Sequence, residues 1–347
     1  MNSLYIFGIV RSGEDPAPTA EGFAACLRSV DEGGIAAIVG AAPEGCDFHG
    51  LEREQALRLL LRHQQVLEAA IAEATVLPVK FGTLAPDERA VRHMLVQGRG
   101  VLLEQLAEFA DRVQMNVTAT WPLDQVFAEI ATDPDLTELR KQAQIGGDES
   151  KIQLGMTVKT MLEHRRAALS AELSRGLEGV YLGMITNDPA DERTVLDASI
   201  LMERGRLDAF DAALERLDAA AGGKLHLRSA GPLAPSAFAT IEVQFPLRET
   251  IEKAWRTLEL GPRAGASDIR AAYLRLARAH HPDISGVDAQ TEARMGEVAQ
   301  CYRLLMNLAK TCQGELRQGG EDTPVAIHVA RRDTVGATDS ILQENAA

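Results

Sequence analysis

Aromatic residues make up only 4% of this 347-residue chain, and its four cysteines, Cys26, Cys46, Cys301 and Cys312, are scattered. No C-x-x-C pair and no Cys–His cluster at zinc spacing occurs, which argues against a structural zinc site and a disulfide framework. Isolated thiols of this kind fit a reducing cytoplasm. So few rings also leave no run of stacking platforms for single-stranded nucleic acid. Positive charge is short as well. There are 36 Lys and Arg against 50 Asp and Glu, a formal net charge of −14, the wrong sign for general binding to phosphate backbones. No apolar run approaches the roughly 20 residues that cross a bilayer. The apolar Leu4–Val10 segment lacks a basic leader and a small-residue cleavage site, so it is expected to be a strand and not a signal peptide. Phosphate loops and the G-x-G-x-x-G, G-x-S-x-G and H-E-x-x-H patterns are missing too, so neither an enzyme nor a cofactor or metal is expected.

What is present is the material of two or three globular domains, with 46% hydrophobic and 25% charged residues. Leu4–Val10 and Gly34–Gly40 read as short buried strands, with a helix expected around Ala20–Ser29 between them. Helical periodicity runs from Leu51 to about Thr75. Val76–Gly82 reads as a strand that Pro78 confines to an edge or an entrance. A helix from Pro86 toward Arg112 is expected to break near Gly98–Gly100, and Gln114–Trp121 alternates as a strand. Together these give a ferredoxin-like α+β domain over 1–121.

A helical connector follows over 122–178, broken near Ile145–Asp148. The second α+β domain is expected over 179–246, with strands at Gly179–Ile185, Val195–Met202, Lys224–Arg228 and Phe238–Phe245 and a helix at Leu207–Ala221. A stiff loop, Gly231-Pro232-Leu233-Ala234-Pro235, joins its last two strands. A small all-α module follows over 249–313, and 314–347 reads as a flexible tail. The fold class is α+β with a C-terminal helical hairpin.

The sharpest feature for chemistry is His281-Pro282-Asp283. It directly follows an amphipathic helix from Ser267 to His280 whose apolar face is Ile269, Ala272, Tyr273, Leu276 and Ala277. Ser267 is placed to cap that helix and Asp268 sits in its first turn. The opposite face carries Arg270, Arg275 and Arg278. Pro282 cannot extend the helix, so the tripeptide opens a loop. A second helix, Gln290 to about Ala309, turns Met295, Val298, Cys301, Tyr302 and Leu305 inward.

This segment resembles the J-domain of Hsp40 (DnaJ) co-chaperones, from Trp255 through Ala266–Tyr273 and His281-Pro282-Asp283 to Leu305. The resemblance implies that His281, Pro282 and Asp283, helped by Arg270, Arg275 and Arg278, engage an Hsp70 (DnaK) and stimulate its ATPase.

The first 246 or so residues resemble the GvpF/GvpL family of gas vesicle proteins. The resemblance rests on Leu4–Val10, His63 with Val66-Leu67, Val76–Thr83, the Val117–Trp121 strand, and Leu227–Phe238. The last segment follows the family's G-P-W-P-P-Y-S-F pattern, with Leu233, Ala234 and Ser236 at the Trp, Pro and Tyr positions. The family residues are therefore Pro78, Phe81, Gly82, Gly231, Pro232, Pro235 and Phe238, in structural or shell-protein contact roles. The resemblance implies a factor that binds the hydrophobic shell protein GvpA and works with other gas vesicle accessory proteins, in the cytoplasm and at the gas vesicle. It implies no nucleic acid or membrane partner.

His63, Trp121 and Phe238 are expected in the core, and Glu52, Glu54, Glu68 and Glu73 on a solvated helix face. Two other functions compete with vesicle assembly. One is a general Hsp70 co-chaperone with a different client; the other is an enzyme on a ferredoxin-like scaffold. The charge is unevenly spread: Lys253–Gln313 holds nine Lys or Arg and six Asp or Glu, so this module is +3 and the remainder −17. A basic module on an acidic chain points to a protein partner.

Overall fold

The computed structural model describes residues 3–14, 27–42, 50–279, 289–312, 315–319 and 324–332. The chain divides into two compact units, Met1–Ala110 with Ala234–Arg331 and Asp111–Leu233 with Arg332–Ala347.

The first unit opens with strands β1 (Leu4–Arg11), β2 (Arg28–Glu32) and β3 (Ile35–Ala41). Helix α1 (Arg53–Glu73), the short strands β4 (Leu77–Pro78) and β5 (Leu84–Ala85), and helix α2 (Glu88–Glu108) follow. β1 and β3 are continuous apolar runs and are buried along nearly their whole length. The strands pair antiparallel in the order β2-β3-β1-β4, and β5 rejoins β1 beyond a turn at Lys80–Thr83. With β4 and β5 taken as one interrupted edge, this is the order 4-1-3-2 of a ferredoxin-like sheet, the class expected for this domain, formed without the Gln114–Trp121 strand.

Two expectations change here. The helix placed at Ala20–Ser29 falls largely outside the described residues, and Arg28 and Ser29 already belong to β2. Helix α2 is continuous through Gly98–Gly100. Glycine costs a helix only about 1 kcal/mol, and Gly98 is needed for packing, since a Cβ there would stand 2.3 Å from Ile327 Cδ1.

The second unit contains β6 (Arg112–Thr120), α3 (Leu123–Ala131), α4 (Pro134–Ile145), α5 (Asp148–Gly176), β7 (Gly183–Thr186), β8 (Thr194–Glu203), α6 (Leu207–Ala221) and β9 (His226–Leu233). Its order, β7-β8-β6-β9, repeats the 4-1-3-2 arrangement of the first sheet. The strand at Gln114–Trp121 therefore opens the second sheet and does not close the first. β6 pairs with β8 over nine positions and with β9 on its other side, whereas β1 is already flanked by β3 and by β4 with β5. The expected connector over 122–178 is accordingly the first crossover of this unit, with a break at Gly146–Gly147 and another at Thr132–Asp133.

β9 also runs further than expected, through Gly231-Pro232-Leu233. It lies at the sheet edge, where Pro232 can do without an N–H. At Gly231, φ is 145° and a Cβ would meet Met115 Sδ at 2.5 Å, so only glycine fits.

The chain then returns to the first unit as β10 (Ala239–Gln244). α7 (Arg248–Thr257), β11 (Arg263–Ala264), α8 (Ala266–Ala279), α9 (Ala289–Cys312), β12 (Leu316–Arg317) and β13 (Ala326–Arg331) follow. The sequence places β10 in the second α+β domain. Instead it bridges β4 through Val79 and Ile241 and pairs with β13. The expected flexible tail over 314–347 thus contains two strands, β12 and β13. Helices α7, α8 and α9 close over Trp255, Leu258, Ile269, Val298, Leu305 and Leu308, and Tyr273 stacks on Tyr302 at 4.3 Å between ring centres. This is the hairpin core that the periodicity foretold.

Candidate functional site

The family segment Val76–Thr83 forms an interrupted sheet edge. Pro78 is buried and opposes Gly8 of β1. The backbone leaves the ladder at Lys80 and returns at Thr83, whose carbonyl accepts the Ile6 N–H at 3.1 Å. The bulge carries Phe81 and Gly82 over Tyr5, Phe7 and His63. The Gly82 N–H donates to the Tyr5 hydroxyl at 3.0 Å, and that hydroxyl stands 3.0 Å from His63 Nδ1. Since Gly82 occupies one lone pair, the hydroxyl can donate its proton to a neutral His63 ring. Phe7 stacks on His63 and Phe81 meets it edge-on.

Burial sets the protonation of this group. It lowers the His63 pKa to about 4 against a smaller opposing effect of the Val79 backbone hydrogen bond. It raises the Tyr5 pKa to about 12, partly offset by the Gly82 hydrogen bond. Both side chains are neutral at pH 7. A hydrogen-bonded, neutral network ties bulge, strand and helix together. Among the described residues, no group of three or more His, Cys, Asp or Glu side chains could hold a metal. No helix of these residues is long and apolar enough to cross a membrane.

The second family segment falls into two halves. Gly231 and Pro232 are exposed at the β9 edge, as described above. Pro235 and Phe238 are buried in the first unit, where the Pro235 carbonyl accepts the amides of Phe238 and Ala239 at 3.0 and 2.9 Å and starts β10. The strand it launches docks on the first family segment. Lys80 N–H donates to the Ile241 carbonyl at 2.9 Å, and Lys80 Nζ meets Glu242 at 2.7 Å. Sequence alone did not connect these segments. The structure makes them two parts of one splice that returns the chain to its first sheet. Trp121 is buried in the second unit with its indole N–H on the Glu192 carbonyl.

In the helical module, α8 presents Arg270 and Arg278 exposed. Arg275 is turned toward the end of α7, 3.0 Å from Glu259 and near the Leu258 carbonyl, so it is partly engaged. Sequence reasoning missed Leu274. It lies four residues from both Arg270 and Arg278 and is 43% exposed, giving an Arg–Leu–Arg strip. The signal was a leucine out of phase with the apolar face. The helix begins at Ala266, one residue earlier than expected. Ser267 lies in the first turn, and the Asp268 carboxylate accepts the Gly265 N–H at 2.9 Å. His281, Pro282 and Asp283 lie outside the described residues. Lys253 and Glu297 join α7 to α9 at 2.7 Å. Cys301 is buried and Cys312 half-buried, both as free thiols.

Comparison with known proteins agrees with this architecture. The model of the gas vesicle synthesis protein GvpL/GvpF family matches residues 3–240, and that of the DnaJ domain matches residues 253–312. Gas vesicle protein F of Streptomyces sp. (strain CB03234) is 32% identical over 244 residues, covering 68% of this chain and 99% of that protein. Gas vesicle protein F2 of Halobacterium salinarum is 25% identical over 245 residues, 69% of this chain and 93% of its own. The crystal structure of the gas vesicle protein GvpF from Anabaena sp. PCC7120 shares the fold, with a TM-score of 0.56 at 23% identity over 68% of this chain and 97% of that one. The chain belongs to the GvpL/GvpF family of gas vesicle synthesis proteins and carries a DnaJ domain after its family body.

Proposed function

We propose that this protein is a non-catalytic gas vesicle assembly factor that holds the hydrophobic shell protein GvpA on its α+β body and recruits an Hsp70 through its DnaJ domain. The observation that carries the reading is one chain joining a gas vesicle family body to a DnaJ domain whose α8 exposes Arg270, Leu274 and Arg278. A shell protein that assembles through apolar surface is prone to aggregate before it is incorporated, and an Hsp70 that binds extended apolar segments offsets that hazard. On the body, the N-terminal half of α1 supports the holding role. Leu57, Leu60 and Leu61 stand 54, 46 and 54% exposed, an apolar face suited to an apolar client.

In the module, Arg270, Arg278 and Leu274 give a basic strip with an apolar centre for an acidic, partly apolar partner surface. Arg275 helps from its place beside Glu259, and His281-Pro282-Asp283 extends the contact. Two measurements test the pair of roles. The full chain should stimulate ATP hydrolysis by Hsp70, and His281→Gln or Arg270→Ala with Arg278→Ala should abolish that. GvpA should be captured by the full chain and lost when Leu57, Leu60 and Leu61 become serine. Capture without stimulation would leave an assembly factor whose DnaJ domain is inert. Stimulation without capture would favour a general co-chaperone with another client.

A further inference from the structure

Neither family match reaches residues 313–332, yet this stretch holds the strand that closes the first unit. β13 pairs antiparallel with β10 over six residues, from Ala239 opposite Arg331 to Gln244 opposite Ala326. The chain therefore leaves this sheet after Gln244 and rejoins it at Ala326, a single register pair, with the DnaJ match at 253–312 lying between. That is the geometry of an inserted domain and not of an appended one.

Each end of β13 is tied to α2. The Val325 N–H donates to Gln97 Oε1 at 2.9 Å. The Arg331 guanidinium donates to Gln105 at 2.6 Å and to Glu108 at 2.9 Å, and sits 5.9 Å from the centre of the Phe109 ring. Between these ties, the side chain of Ile327 lies against Gly98, in space that only a glycine leaves open. The edge of β13 away from β10 meets the DnaJ domain. The buried Thr311 hydroxyl of α9 accepts the Ile327 N–H at 2.7 Å and reaches the Ile327 carbonyl at 3.2 Å, and Ala326 is part of the module's core. Without β13, the edge of β10 that faces away from Val79 would lose its ladder partner.

We propose that β13 is a clasp that fixes the DnaJ domain to the first α+β unit at both ends, with Arg331, Ile327 and Thr311 as positioning residues that present α8 at a set place on the body. Delivery then depends on geometry: the recruited Hsp70 acts at a fixed distance from the client, without a flexible tether searching for it. This second half rests on the Hsp70 reading above.

Amide exchange on the full chain tests the clasp without any substitution. Peptides covering 239–244 and 326–331 should be protected together, at least about 100-fold over free peptide. Exchange of 326–331 at the free-peptide rate would overturn the proposal. In the Ile327→Asp, Arg331→Glu double variant both peptides should exchange at least about tenfold faster, while α8 and α9 keep their protection. That variant should still stimulate Hsp70 ATPase within about twofold of the parent chain, since Trp255, Leu258, Ile269, Val298, Leu305 and Leu308 of the three helices are unchanged. It should nevertheless fail to restore flotation to a strain lacking the gene. Full flotation with the clasp open would overturn the positioning role. If neither chain stimulates Hsp70, the Hsp70 reading fails and the exchange result alone decides the clasp.

Discussion

The two α+β units share one strand order and spend their extra residues in different places. In the first, β1 is buried along both faces and the additions come at the far edge, where β10, the DnaJ domain and β13 are built on. In the second, β6 alternates. One of its faces carries a polar network, in which Asn116 Oδ1 accepts from Gln114 at 2.8 Å and from Ser199 at 3.1 Å. Its addition is the first crossover, drawn out into α3, α4 and α5. Over the 29 residues of α5 only Leu173 is buried, and Ile152 and Met156 are 63 and 66% exposed. The shared order is specified by the antiparallel ladder and its core, so connections and edges are free to vary. One unit has become the anchor of a DnaJ domain, and the other carries a long exposed helical arm.

If the units are separate cooperative blocks, damage to one should spare the other. Phe210 is fully buried in the second unit, so Phe210→Ala should cost about 3–5 kcal/mol there. Denaturant unfolding followed by amide exchange should show the first unit's transition unmoved. A joint shift of both would mean that they unfold as one block.

Acid should separate them next. His63, in the first unit, has a folded pKa of about 4, below its ordinary value of 6.5. The unfolded chain therefore binds the extra proton between those values. Stability from the neutral ring is fully present above pH 6.5 and is lost as pH falls toward 4, by about 2–3 kcal/mol. His63→Gln should flatten that slope in the first unit and leave the second unchanged. An equal slope in both proteins would remove His63 as its source.

A smaller effect sharpens the contrast from the other side. Asn116→Ala removes the acceptor that Gln114 and Ser199 share in the second unit and should cost about 1–3 kcal/mol, read as a shift in that unit's midpoint. The smallest effect is at the splice. Lys80→Met removes an exposed pair with Glu242 and should cost at most about 1 kcal/mol, less at high salt. A larger loss would mean that the pair, and not the Val79–Ile241 bridge, holds β10 in place.

Much of this was legible in the sequence, and what was missed had physical causes. Apolar runs and helical periodicity located β1, β3, α1, α6, α8 and α9 to within a few residues, because their patterns are local. The sequence puts β6 in the first sheet because it follows α2 after a three-residue turn, and adjacency in sequence suggests a shared sheet. The ladder shows that the first sheet was already full. The sequence ends β9 at Arg228, ahead of Gly231-Pro232, because proline suggests a loop, and only its edge position makes the longer strand possible. β13 does not stand out in the sequence because Ala-Ile-His-Val-Ala-Arg is short and its partner lies 82 to 92 residues earlier. Tyr5 and His63 lie 58 residues apart, and no spacing rule joins them. In the module, the motif identifies the domain, whereas Leu274, already out of phase with the apolar face in the sequence, stands out through its 43% exposure.

The central claim is that this family body and this DnaJ domain act together in vesicle assembly. Truncation after Pro246 is a poor test, because it also removes β13 and uncovers β10. The direct measurement is flotation of a deletion strain complemented with the intact chain or with His281→Gln, each at matched abundance. The account predicts full flotation with the first and little or none with the second. Equal flotation with both would contradict it.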